Sequence, residues 1–474
     1  MRGKGMLFTA PAFAFVFLPL SILFMVLFGK NRKSSCLLIV CIIYHVLLHA
    51  SAPVELLWLP LLTVYTYASE RIAKKLNKKW LTFALCAAPV AIIVTVRSLL
   101  YLGVMNGAYP LGLTIPALAS VSYICDKSGK GEGLSDLMSL ALYLSFFPLM
   151  ILGPFIRYNE FCHLTEGDSI SITLSGVSEG IGLYATGFIK RIAVGAVLVD
   201  GYQKIFAASW DTPSLVIILL LLIIIYFGVF FSVSGYYDMG VGIARMLGVS
   251  VPRVEANPFA IATVNEYSKG LFGSVREWAK HYVVSPLCRI LEKKELSGFS
   301  KTAIYCLCTF LVVRADPFMI VLTVPLVAFA MASATLKLDK AYRPKHSGLR
   351  GVFGLLTVLV VGAFWVFVTM GVGNDSVLDY IGDITAGNAE YQTDMVLISF
   401  SGIKYLFVSL VGFCTVLPRM RFTVKLMERL SPKWRSAVDY GSMVVMLALF
   451  AFTLVFFLPQ FEMYAEDPFA YIII

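Results

Sequence analysis

An all-α protein that crosses a membrane many times is the fold class this sequence predicts, on three observations. Hydrophobic residues make up 58% of the chain, charged residues only 14%, and the mean hydropathy is +0.81. Soluble domains sit nearer ~45–50% apolar. Apolar stretches of the ~20 residues needed to span a hydrocarbon core of roughly 30 Å recur along the whole chain. Lysines and arginines gather in the short gaps between them, at Lys30 to Lys33, Arg71 to Lys79, Lys127 to Lys130, Lys293 with Lys294, and Lys337 to Lys345. Cytoplasmic loops carry that excess, so these gaps are expected on the cytosolic side. The charge is scattered between spans and forms no single basic stripe, which argues against nucleic-acid binding.

The first apolar stretch runs from Met6 and follows Arg2 and Lys4, as a signal peptide would. It shows no small-residue cleavage site and ends at the basic stop Lys30, Arg32, Lys33, so it reads as a retained first span. Further stretches begin near Cys36, Val54, Trp80, Leu137, Ser214, Thr302, Val324, Val352, Ile403 and Val444. Pieces broken by glycine or proline lie near Leu111, Gly182 and Tyr236. Together they predict about 11 to 13 membrane segments. The longest polar stretches, Glu160 to Ser171 and Gly373 to Gln392, are too short to separate folded units, so residues 1–474 are expected to form one integral membrane domain. The acidic stretch from Gly373 to Gln392 suits an outer-face loop. Residues 252–296 mix aromatics with charges, including Glu266, Tyr267, Arg276, Trp278, Lys280 and Tyr282, which suits interfacial amphipathic helices with Trp and Tyr at headgroup depth. No internal repeat is visible, which weighs against a transporter built from inverted halves.

The run Ser145 to Tyr158 sets two prolines, a glycine and an arginine inside or against an apolar segment. Proline removes a backbone donor and leaves carbonyls that lipid cannot satisfy, so this run is expected to line a cavity or pack on protein.

Its wording, Phe146-Phe147-Pro148 followed by Gly153-Pro154 and Arg157-Tyr158, resembles the FFP-x-x-x-x-GP-x-x-R-[YF] signature of the membrane-bound O-acyltransferase family, in the bacterial branch that acylates alginate, teichoic acids and other exopolysaccharides. Met6-Leu7-Phe8 through Leu20 is similar to that branch's opening helix, and Pro110 through Asp126 to its LPIGISFYTFQSISYIID block. Gly187 to Arg191 resembles GF-[VI]-K-K, and Ser234 to Met239 with Gly242 to Gly248 resembles SGYSDMAIG-x-x-x-x-LG. Trp278 to Leu287 looks like W-x-R-D-Y-x-Y-I-P-L, with His281 in the aspartate's place. The blocks come in family order, and looser similarity reaches Asp467-Pro468-Phe469. The resemblance implies tilted helices around a central tunnel in a bacterial plasma membrane. It also implies transfer of an acyl group from a cytosolic thioester, acyl-CoA or an acylated carrier protein, to a hydroxyl of an extracytoplasmic or lipid-linked glycan. An extracytoplasmic esterase-like partner is a further implication.

Acyl transfer to a hydroxyl needs a general base, and histidine suits that role. The family supplies it in W-H-G, with a second histidine or asparagine in W-R-R-W-H. Here Leu311 to Phe318 and Ser268 to Gly273 stand in those places, and neither contains histidine. That departure keeps a second reading open, a catalytically silent relative acting as a scaffold or binding component of a cell-envelope complex. The tunnel candidates that remain are Arg314, Asp316, His281 and Asp238. Arg314 and Asp316 read either as a tight turn with Asp316-Pro317 capping the next helix or as a buried polar pair. Asp238 reads as part of a polar cluster bracing a broken helix, with Arg245 as a possible partner, and Arg157 and Arg97 read as structural or snorkelling residues. His45 and His49 share a helical face and suit helix–helix hydrogen bonding. The nine cysteines, mostly inside apolar runs, read as core residues, and neither they nor the five histidines have a metal-site spacing. No bound cofactor is expected.

Overall fold

The computed structural model describes residues 6–29, 32–50, 52–101, 104, 113–127, 134–150, 155–166, 169–208, 215–252, 257–258, 261–291, 296, 298–313, 326–330, 347–370, 408, 441 and 444–458. These are helical with connecting turns, and no strand occurs among them. The helices are α1 (Leu18–Phe28), α2 (Lys33–Leu48), α3 (Trp58–Leu76), α4 (Lys79–Tyr101), α5 (Thr114–Asp126), α6 (Leu134–Ser145), α7 (Phe147–Met150), α8 (Tyr158–Thr165), α9 (Leu174–Ile189), α10 (Val197–Ala208), α11 (Leu215–Met246), α12 (Val264–Ala279), α13 (Ser285–Ile290), α14 (Gly298–Val313) and α15 (Ser347–Met370). Among the described residues three stretches are long and apolar enough to cross a membrane: Trp80–Leu99, Leu174–Phe206 and Val216–Met246. Shorter apolar helices cover Phe13–Phe28, Lys33–Leu48, Gly351–Val366 and Val444–Val455. The protein is therefore an all-α membrane protein.

The chain groups into two compact units. One comprises Met1–Tyr184, Tyr237–Arg253 and Phe272–Ile320; the other comprises Ala185–Tyr236, Val254–Leu271 and Val321–Ile474. In the first unit α5 packs on α3 and α4, and α2 packs on α6. An aromatic cluster ties its start to the double-phenylalanine run. The Phe147 ring stacks on Tyr44 of α2 at 4.3 Å, and Phe8, Phe13 and Phe17 surround the pair at 5.6–6.2 Å. Each such pair adds about 0.5–1.5 kcal/mol beyond the area it buries. The residues from Ser145 to Met150 are buried throughout, as their proline demands. Ile151 to Pro154, on which the rest of that expectation falls, lie outside the described residues.

The C-terminus of α11 explains the glycine of its motif. Gly248 takes φ +86°, its N–H donates to Arg245 O, and the N–H of Val249 donates to Ala244 O. This paired pattern satisfies carbonyls that the helix end would orphan, and the left-handed turn favours glycine. Arg245 itself turns to Glu179, with Nη2 at 2.9 Å from Oε2, and to Ser250, so it does not serve as the partner expected for Asp238.

In the second unit the span continuing from α9 through a π-helical stretch, Lys190–Ala196, packs on α11 at small residues. A Cβ at Gly235 would stand 2.6 Å from Gly187 O and 2.8 Å from Arg191 N; one at Gly195 would stand 2.9 Å from Ser232 N. Backbones approach this closely only where no side chain intervenes, the usual solution for helices in lipid. Trp365 of α15 donates from Nε1 to Tyr267 Oη at 2.9 Å, and Thr357 donates to Ala262 O, which fixes α15 against the start of α12.

Residues 264–290 fold as α12, a π-helical turn at Lys280–Val284 and α13, with a break at Phe272 (φ −121°, ψ 28°). Val264, Tyr267, Leu271, Val275, Trp278 and Ala279 are buried, a spacing of three and four that marks one apolar face.

Replacing Gly235 by leucine forces this contact apart. We expect a loss of about 1–3 kcal/mol, read as a fall in the unfolding temperature of the detergent-purified protein of several degrees. An unchanged temperature would show that the helices do not meet there.

Candidate functional site

Three sequence blocks far apart in the chain meet in the first unit. They are the end of α5, the Arg157-Tyr158 step that opens α8, and the turn after α12. Trp278 fixes the turn by donating from Nε1 to Leu118 O at 3.1 Å and lying edge-on to Phe155. That places Tyr282 over the C-terminal turn of α5, where its hydroxyl donates to Asp126 Oδ2 at 2.8 Å and lies 2.8 Å from Ser122 Oγ. Ser122 Oγ also accepts the N–H of Tyr158 at 3.0 Å.

The Tyr282 hydroxyl donates to the carboxylate, and Ser122, which accepts from Tyr158, has both Tyr282 Oη at 2.8 Å and Asp126 Oδ2 at 3.5 Å within reach of its own proton. The result is a chain from backbone amide through two hydroxyls to Asp126. Such chains polarise one another, and each member is costly to leave unmet. Burial, more than any neighbouring charge, pushes the Tyr282 hydroxyl above its ordinary pKa. Tyr282 is therefore a donor, and Asp126 is the proton acceptor of the chain.

Beside it, Arg157 Nε donates to Glu160 Oε1 at 3.0 Å, and Arg157 Nη1 lies 3.3 Å from His281 Nε2. The Glu160 hydrogen bond pushes the guanidinium further up from its already high pKa. An arginine only donates, so His281 Nε2 accepts and the ring proton sits on Nδ1. His281 is 38% exposed, with Glu277 Oε2 at 4.0 Å. In this arrangement its basic nitrogen is engaged by Arg157.

The candidates read from sequence thus separate. His281 joins the cluster. Asp238 is buried on α11, 2% exposed. Arg314 and Asp316 lie outside the described residues. Arg157 faces Glu160 and His281. Arg97 does not snorkel; it is buried and donates from Nη2 to Thr114 Oγ1 at 3.1 Å.

Sequence reasoning missed Ser122, Asp126 and Tyr282 as a unit, although all three lie in quoted motifs. It also passed over Lys190 and Arg191, 1% and 0% exposed in the middle of a span, with the guanidinium 5.3 Å from the Tyr236 ring centre. A pair of cations inside an apolar run was the available signal. Among the described residues no group of His, Cys, Asp and Glu could hold a metal ion.

Fold and site together define a helical membrane protein whose motif residues assemble into one partly buried polar cluster. Comparison with known proteins finds relatives named as O-acetylases. The chain is 22% identical over 286 residues to the probable alginate O-acetylase AlgI of Pseudomonas fluorescens, covering 59% of this chain and 56% of that protein. The probable alginate O-acetylase AlgI of Pseudomonas aeruginosa is 23% identical over 305 residues, with coverage of 59% and 56%. The peptidoglycan O-acetyltransferase of Helicobacter pylori is 22% identical over 159 residues, covering 32% of this chain and 29% of that protein. The matched region spans about half the length of the first two relatives, and no family model matches the chain. These similarities support membership of the membrane-bound O-acyltransferase family.

Replacing Tyr282 by phenylalanine removes its bonds to Asp126 and Ser122 and leaves Asp126 only the longer contact from Ser122 at 3.5 Å, for an expected loss of about 1–3 kcal/mol near neutral pH. A raised folded pKa stabilises only while the hydroxyl is protonated in the unfolded chain, below about pH 10. The stability gap between wild type and variant should therefore narrow as pH rises past that value. Thermal unfolding at pH 8 and pH 11 reads it, and a gap that stays constant would contradict the buried hydroxyl.

Proposed function

We propose that this protein is an O-acyltransferase of cell-envelope polysaccharide, active in a bacterial plasma membrane. It takes an acyl group from a cytosolic thioester, acyl-CoA or an acylated carrier protein, and passes it to a hydroxyl of an extracytoplasmic or lipid-linked glycan. An extracytoplasmic esterase-like protein is the expected partner. The observation that carries this reading is the convergence of three family-matched blocks on one polar cluster, in a chain whose relatives are named as O-acetylases of alginate and peptidoglycan. In this reading Asp126, Tyr282 and Ser122 hold the helices in register, and Arg157 positions the turn that bears His281.

One observation favours a second reading, in which the protein is a silent relative serving as a scaffold. The segment matching W-H-G carries Arg314 and Asp316 and no histidine, and without a base the transfer forfeits a factor of roughly 10²–10⁴.

The two are separated by incubating the purified full-length protein with radiolabelled acetyl-CoA or acylated carrier protein and an envelope glycan acceptor. Transfer is expected to the acceptor hydroxyl, lost in Asp316→Ala. His281→Ala should lower it, and His281→Asp, which returns a carboxylate to Arg157, should restore it. Loss in both His281 variants would make His281 the base. Absence of transfer, with a cellular phenotype untouched by Arg314→Ala, Asp316→Ala and His281→Ala, would leave the scaffold reading.

A further inference from the structure

A cavity of about 430 Å³ lies in the first unit, away from the cluster of Tyr282. Its walls come from α2, the turn Pro53–Leu57, α3, the start of α5 and α6. Most of the lining is aliphatic or aromatic, with Leu38, Leu59 and Trp58 representative. The volume falls within the roughly 300–1,000 Å³ of small-molecule pockets.

One end is polar. His45 donates from Nε2 to Ser145 O at 3.0 Å, which ties α2 to α6. One turn on, His49 Nδ1 lies 3.3 Å from Glu55 Oε2, and the two imidazoles are parallel within 4° at 6.3 Å. His49 is 7% exposed and Glu55 18%. A carboxylate only accepts, so His49 donates from Nδ1 and its basic nitrogen is Nε2. Helix–helix hydrogen bonding accounts for His45. It does not account for a second histidine held by a carboxylate at the rim of an apolar cavity.

We propose that this cavity binds a neutral lipid with a hydroxyl headgroup, its chain along the apolar walls and its hydroxyl at the His49–Glu55 pair. The charges decide the headgroup. No lysine or arginine is among the described residues lining the cavity, and a phosphate or a fatty carboxylate would face the Glu55 carboxylate. A hydroxyl both donates and accepts, as the histidine–carboxylate pair does. α2 starts at the basic gap after Lys30 and runs away from it, so His49 is at the opposite end from the expected cytosolic side. The binding stands apart from the transfer reaction and does not depend on it.

The test is photolabelling of the full-length protein in nanodiscs with diazirine-bearing hexadecanol, hexadecanoic acid and hexadecane, mapped by peptide mass spectrometry. Hexadecanol is expected to label α2 and α3 peptides several-fold above the other two. Ala141→Phe, which fills the cavity, should abolish that excess, as should Leu38→Phe if the first variant fails to fold. His49→Gln should reduce hexadecanol labelling to the hexadecane level without changing hexadecane labelling. Equal labelling by all three probes, or labelling indifferent to both fillers, would reduce the cavity to a surface wetted by bulk lipid. Preference for hexadecanoic acid would overturn the neutral headgroup.

Discussion

A buried polar group is costly to leave without a hydrogen bond, and the chain from Tyr158 N–H through Ser122 and Tyr282 to Asp126 is a response to that constraint. Each hydroxyl in it spends both its donor and an acceptor on a group from a different helix or turn. That requirement fixes where α8 starts relative to α5 and where the turn after α12 docks. The positions of Arg157 and His281 follow, since each is adjacent in sequence to a residue of the chain. Chemistry placed here is positioned by bonds that also hold the unit together.

The substitution of histidine for the aspartate of the resembled motif gains a physical meaning from this geometry. An aspartate at 281 would give Arg157 a second carboxylate beside Glu160. The imidazole supplies an acceptor without a fixed charge, and the guanidinium turns its second face to Glu160. Relative to the resembled motif, the site gives up one negative charge at a half-exposed position.

Much of the fold was legible from the sequence because composition and span length act locally along the chain. Apolar runs foreshadowed the long helices, and the mix of aromatic and charged residues over 252–296 foreshadowed amphipathic helices there. What could not be read was partnership. Arg245 meets Glu179, 66 residues away, and Tyr282 meets Asp126, 156 residues away. No periodicity encodes such pairs, so arginines that read as snorkelling or as companions of Asp238 belong elsewhere. Of the candidate site the motifs contained Ser122, Asp126, Arg157, Tyr158, His281 and Tyr282, but only the fold showed that Ser122, Asp126 and Tyr282 act on one another.

Lys190 and Arg191 carry a consequence for how the protein is made. They sit at the centre of the stretch Leu174–Phe206, and a single lysine or arginine at a helix midpoint opposes translocon insertion by about 2.5–3.5 kcal/mol. That helix gains from α11, whose Tyr236 ring faces the guanidinium and whose Gly235 lets the two backbones close. The hairpin is thus suited to leaving the insertion machinery as a pair, with the later helix sheltering the cations of the earlier one.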